Sequence, residues 1–220
     1  MYMESVKLVI FDMDGTLINS EEIYARGWLE GLAKYGFKVS EEFVKGMSGN
    51  SVEINNRIIK NIVKSDELVQ KVRKYRENLF EQCIEKEKIE AIPGARDILE
   101  SLCKSQRYTI GLATLSRRER ATKVLQQANL IQYFDLLKFG DDVKRQKPFP
   151  DVYLDTMSEC KIEPQKTLIF EDSLNGFKAA YASKARVVLV NSLDIRPSES
   201  KKDSMFYQSY RCFMNDHYYL

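Results

Sequence analysis

Four short apolar runs, each stopped by a polar residue, most constrain what this chain can become: Lys7 to Phe11, Tyr108 to Ala113, Thr167 to Phe170 and Arg186 to Val190. Nearly continuous apolar runs of this length suit strands buried on both faces. Helical patterns lie between them. Ile98, Leu99 and Leu102 share a face of Ala95 to Cys103, and Val124, Leu125 and Ala128 share a face of Arg117 to Leu130. Val152 to Cys160 supplies a third such pattern. Strands alternating with helices predict an α/β fold with a doubly wound, Rossmann-like parallel sheet.

The stretch from Asn19 to about Ile92 breaks the alternation, offering helix signals and no convincing strand. Ser40-Glu41-Glu42 and Ser65-Asp66-Glu67 each place an N-cap before an acidic first turn, as helix starts do. The expected organisation is a core of 1–18 and 92–220 carrying a small all-helical cap domain over 19–91. Ile92-Pro93-Gly94 marks the return. The 220-residue length suits one core with an insertion. Charge runs inside the insertion, Lys71 to Glu77 and Glu85 to Glu90, read as solvated helix faces.

Composition excludes several classes of function. Lys plus Arg number 34 against 32 Asp plus Glu, a formal charge of +2 without a long basic block. Charge therefore gives no reason to expect a nucleic-acid or membrane partner. The first apolar run, Leu8-Val9-Ile10-Phe11, is too short for a signal peptide or membrane span. With no N-x-S/T sequon either, a cytoplasmic protein is expected. Cys83, Cys103, Cys160 and Cys212 form no C-x-x-C and read as reduced, mostly buried thiols. The one histidine, His217, reads as a surface residue and leaves a Ser-His or Cys-His hydrolase without an internal base. There is no Walker loop and no G-x-G-x-x-G. The aromatic tail, Met205 to Leu220, is expected to pack on the core, with a contact between subunits as the alternative. A monomer follows from the first reading and a dimer from the second.

In an open parallel sheet, ligands bind outside the carboxyl ends of the strands. The residues that end these runs are Asp12 and Asp14, Thr114 and Ser116, and Glu171 and Asp172. Asp12-Met13-Asp14-Gly15-Thr16 sets two carboxylates two residues apart where Gly15 allows a sharp turn. One carboxylate can attack phosphorus while the other handles protons. Two acids facing a phosphate dianion repel it unless a cation intervenes, and Mg²⁺ fits that need. Glu171 and Asp172 can complete its shell. Lys147 offers a positive charge to the transferring phosphoryl group. Ser116, with Glu119 three residues on, also fits a helix-capping box. Both readings of Ser116 stay open, because a capped helix N-terminus is itself a phosphate site.

This constellation resembles the haloacid dehalogenase superfamily of aspartate-nucleophile phosphotransferases, in the branch with a helical cap inserted after the first motif. The resemblance spans nearly the whole chain: Asp12 to Thr16, Thr114, Lys147 and Glu171-Asp172-Ser173 stand as the four motifs. It implies Asp12 as nucleophile and Asp14 as general acid and base. It also implies Mg²⁺ held by the Asp12 side chain, the Asp14 backbone carbonyl and Asp172, with Glu171 near or bound. Gln146 departs from the usual Gly before Lys-Pro. In the insertion, Lys45-Gly46-Met47-Ser48 resembles the segment that β-phosphoglucomutases present to a sugar phosphate. Gly49 stands where those enzymes have a phosphate-binding Arg, Tyr24 where they have a His, and Arg76 near their cap lysine.

The expected function is thus a Mg²⁺-dependent phosphatase of a small phosphorylated metabolite, a sugar or polyol phosphate. Catalysis would rest on Asp12, Asp14, Thr114 and Lys147. Thr16, Leu115, Ser116, Lys45, Gly46 and Arg76 would contact substrate. A hexose phosphate mutase with the same chemistry is the alternative, and a catalytically silent binding protein the third reading.

Overall fold

A computed structural model describes residues 3–47, 50, 52–86, 89–190 and 204–217. Its elements run β1 (Leu8–Phe11), α1 (Glu21–Lys34), α2 (Glu41–Lys45), α3 (Val52–Val63), α4 (Asp66–Glu85), α5 (Ala95–Ser105) and β2 (Thr109–Ala113). They continue with α6 (Arg118–Gln127), β3 (Leu136–Lys138), α7 (Asp151–Cys160), β4 (Thr167–Glu171), α8 (Leu174–Ala182), β5 (Arg186–Val190), β6 (Ser204–Tyr207) and α9 (Tyr210–Asp216). The chain divides into two compact units, 1–18 with 90–220 and 19–89.

The first unit is a six-stranded sheet of order β3-β2-β1-β4-β5-β6, with every neighbouring pair parallel. The chain leaves β1 for β2 on one side and places β4 on the other, so the winding reverses at β1 and opens a crevice at its carboxyl end. Side chains alternate across the sheet. Leu8 and Ile10 of β1 join Ile169 of β4, Val187 of β5, Tyr153 and Met157 of α7 and Phe177 of α8 in one buried cluster. On the opposite face Phe11 stacks on Phe170 at 4.7 Å, and Phe213 of α9 meets Phe170 edge-on at 5.0 Å.

The tail therefore docks on the core among the described residues, with Tyr210 and Phe213 buried. Tyr218 and Tyr219 lie outside the described residues, as do Ser48, Gly49, Glu87 and Lys88. Two strands lack a counterpart in the four apolar runs, β3 and β6, and both are half-buried sheet edges. Thiol burial also differs from expectation. Cys83 is buried and Cys160 half-buried, but Cys103 and Cys212 are exposed, and both carry hydrogen bonds on helix sides turned to water. His217 is half-buried, its ring centroid 4.5 Å from that of Phe213.

The second unit is helical. Ser40 and Ser65 cap α2 and α4 as expected, their hydroxyls accepting from the N–H of Phe43 and Leu68. Trp28 and Leu32 of α1 pack with Val44, Met47, Ile59, Val63, Val69 and Val72 in its own core. Glycines let α1 approach α4: a Cβ at Gly27 would come 2.7 Å from Arg76 Cγ. Arg76 is not on a solvated face, because its guanidinium lies over the rings of Tyr24 and Trp28 at 4.8 and 4.5 Å. No helix among the described residues is long and apolar enough to cross a membrane.

Candidate active site

The carboxyl ends of β1, β2 and β4 converge, and a buried lysine ties them together. Lys147 Nζ donates to Asp12 Oδ1 and to Glu171 Oε1, both at 2.6 Å, and to the Ala113 carbonyl at 3.3 Å. It is 8% exposed, Asp12 7% and Glu171 fully buried. Burial works against the lysine's charge, but Asp12 and Glu171 overcome it and hold its pKa above the ordinary value. Asp12 answers differently: burial pushes its carboxyl up to about 7, Lys147 opposes, and the charges of Glu171 and Asp14 add to the rise. The site is short of positive charge.

Both oxygens of Glu171 are well satisfied. Its Oε1 accepts from Lys147 and the Tyr153 hydroxyl, and its Oε2 from the N–H of Asp172 and from both the N–H and hydroxyl of Ser173. Such a set makes Glu171 first an anchor for Lys147. Gly176 completes the cradle, since a Cβ there would fall 1.9 Å from the Glu171 carboxyl carbon. Carboxylate oxygens of Asp12, Glu171 and Asp172 nevertheless lie within 4.8 Å of one another, a hard-oxygen set suited to Mg²⁺.

The loop after β1 turns back on itself. The N–H groups of Leu17 and Ile18 donate to the Met13 carbonyl, and that of Gly15 to Ile18. Gly15 has φ +78°, and a Cβ there would sit 2.0 Å from Asp172 Oδ2, so the turn closes against Asp172 only with glycine. Thr16, on the same loop, turns toward Asp172. It is fully buried and donates its hydroxyl to Asp172 Oδ1 at 3.0 Å, orienting that carboxylate.

Ser116 does not cap a helix here. The helix α6 begins at Arg118 with no side-chain cap, and the Ser116 hydroxyl donates instead to Asp14 Oδ2 at 2.8 Å. Asp14 Oδ1 is buried without a hydrogen-bond partner. Thr114 is buried at the end of β2, where its hydroxyl accepts from the Ser116 N–H. The Leu115 backbone passes so close to Gly140 that a Cβ there would meet its carbonyl oxygen at 2.2 Å. Lys45 and Gly46 are exposed at the end of α2, and Arg76 pairs with Glu77; all three belong to the helical unit.

Sequence reasoning missed Tyr153, Gly176 and Tyr210. Gly176 alone left a signal, as a glycine three residues after the cap Ser173, whose hydroxyl accepts from its N–H. Tyr153 and Tyr210 looked like ordinary core aromatics.

The chain is similar to known proteins in sequence and in fold. Residues 9–190 match the model of the haloacid dehalogenase-like hydrolases. The phosphorylated carbohydrates phosphatase of Thermotoga maritima is 31% identical over 175 residues, 80% of each chain. Hexitol phosphatase B of Escherichia coli K12 is 32% identical over 187 residues, 82% of each. The crystal structure of HAD hydrolase, family IA, variant 3 from Entamoeba histolytica superimposes with a TM-score of 0.76 at 26% identity, covering 94% of both chains. Because the family model matches residues 9–190, from β1 to the end of β5, this chain belongs to the haloacid dehalogenase-like hydrolase family.

Proposed function

We propose that this enzyme is a Mg²⁺-dependent phosphatase of a small phosphorylated metabolite, a sugar or polyol phosphate, working through an aspartyl phosphate on Asp12. The observation that carries the reading is Lys147, buried between Asp12 and Glu171 beside an Asp14 already oriented by Ser116. The named activities of the two bacterial relatives support the phosphomonoester and the sugar or polyol class.

The donor set fits Mg²⁺: carboxylate oxygens of Asp12, Glu171 and Asp172 cluster within 4.8 Å, Asp12 is pushed up to about 7, and Asp14 Oδ1 is left bare. Asp12, Asp172 and the Asp14 backbone carbonyl would hold the ion, with Glu171 behind them. When bound, it supplies the positive charge that lets a phosphate dianion approach these acids.

The residues then divide the work. A carboxylate oxygen of Asp12 attacks phosphorus in line, forming the new P–O bond as the ester oxygen departs. Asp14 gives that oxygen its proton. Asp14 next takes a proton from water, which attacks the same phosphorus and releases Asp12. Lys147 favours the ionised nucleophile and faces the phosphoryl oxygens, together with Thr114 and the backbone at Leu115. For substrate selection we retain Lys45, Gly46 and Arg76. The four free cysteines support a reducing, cytoplasmic setting.

The test is phosphate release from a panel of sugar, polyol and nucleoside monophosphates with Mg²⁺. Release should fall on the order of 10³-fold or more in Asp12→Asn and vanish with chelator. Retained release in Asp12→Asn would overturn the mechanism. No release from any member would move the reading to the mutase, tested with β-glucose 1-phosphate and a bisphosphate primer. Silence there too would leave a binding role.

A further inference from the structure

The family match ends at Val190, yet the chain beyond it comes back to the catalytic loop. β6 extends the sheet beside β5, Ser209 caps α9 by accepting from the Cys212 N–H, and Tyr210 opens that helix fully buried. Its ring packs near Phe11 and Phe170, 6.3 and 5.7 Å between centroids, under the ends of β1 and β4. Its hydroxyl donates to the backbone carbonyl of Thr16 at 3.0 Å.

Thr16 is the residue whose hydroxyl holds Asp172 Oδ1. One phenol thus reaches the carboxylate through a single residue. The chain's return from the helical insertion is fastened at the same place. The Ile92 N–H donates to the Leu17 carbonyl at 2.8 Å, Ile18 bridges Ala91, and a Cβ at Gly94 would lie 3.0 Å from Tyr210 Cβ. Burial, then the charges of Asp172, Asp12 and Glu171, push the phenol well above its ordinary pKa, so it remains a donor throughout any working range.

We propose that Tyr210, supplied by a tail outside the family match, is a positioning residue for the active site: through the Thr16 carbonyl it fixes the loop from Asp12 to Ile18 and the aim of Asp172. The identity of the cation that profits from this aim rests on the phosphatase reading; the bracing of the loop does not.

Tyr210→Phe keeps the ring and removes the donor. In the full-length protein, amide hydrogen exchange across Gly15 to Ile18 should quicken about fivefold, the worth of one modest hydrogen bond. The Mg²⁺ dissociation constant, measured by calorimetric titration without substrate, should rise by a similar factor. The comparison is Phe213→Leu, which loosens the same helix against Phe170 and should lower Tm while leaving Mg²⁺ affinity within about twofold. Wild-type exchange and affinity in Tyr210→Phe would overturn the proposal, as would an equal loss of affinity in Phe213→Leu, because tail packing alone would then explain it. If the wild type takes no Mg²⁺, the cation assignment fails. Exchange then decides the bracing by itself: a loosened loop supports it and an unchanged one defeats it.

Discussion

Asp14 Oδ2 accepts from the Ser116 hydroxyl at 2.8 Å, and α6 starts two residues beyond that serine without a side-chain cap. If Ser116 aims the general acid and base, Ser116→Ala should lower kcat about tenfold, part of the 10²–10⁴ such a group contributes, with KM nearly unchanged. A capping residue would instead cost about 1 kcal/mol of stability and leave kcat alone. Steady-state kinetics beside urea unfolding separate the two, and an unchanged kcat would mean that the Ser116 contact does not aim Asp14 for catalysis. Residue types and order were enough to bring Asp12, Asp14 and Asp172 together as candidates, because each follows a buried strand. Lys147 was legible only through its company, since a lysine in a Pro-rich loop usually faces water. The contact of the Thr16 hydroxyl with Asp172 was not legible for a physical reason: sequence places it on the loop but cannot say which way a buried side chain turns inside a tight turn.

Secondary elements divide along the same physical line. β1, β2, β4 and β5 lie inside the sheet and carry continuous apolar runs, so their existence could be read directly. β3 and β6 are its edges, with half-buried patterns that give no such run. The helix starts at Ser40 and Ser65 were legible because capping is local chemistry, whereas the packing of α8 on Glu171 is not. That packing makes a signed prediction. Gly→Ala inside a helix ordinarily stabilises by up to about 1 kcal/mol. At Gly176 the new Cβ would overlap the Glu171 carboxylate, 1.9 Å from its carbon, so Gly176→Ala should destabilise by about 1–3 kcal/mol in urea unfolding. Gly46→Ala, whose Cβ would meet nothing closer than 3.4 Å, should stay within about 0.5 kcal/mol. A stabilised Gly176→Ala would show that α8 stands clear of the carboxylate.

For the whole molecule, a formal charge of +2 conceals one place where two buried carboxylates, Asp12 and Glu171, share a single buried lysine, with Asp14 and Asp172 beside them. That imbalance couples the site to global stability through Asp12. Its carboxyl titrates near 3.8 when unfolded and about 7 when folded without metal, so between those values the folded protein binds more protons than the unfolded chain. The Asp12 contribution to the stability of the metal-free protein therefore falls as pH rises through that window, and its loss is complete above about 7. The raised pKa of Lys147 acts far above this range and leaves the sign unchanged. A cation that takes the ionised carboxylate must displace the proton below 7 and meets no proton above it. The rise in Tm on adding Mg²⁺ should accordingly be small at pH 5.5 and larger at pH 8, and Asp12→Asn should flatten the difference. Thermal melts with Mg²⁺ and with chelator at both pH values give the answer. Equal shifts at pH 5.5 and 8 would mean that the ion is held without Asp12, and the nucleophile would then have to be sought outside the metal's shell.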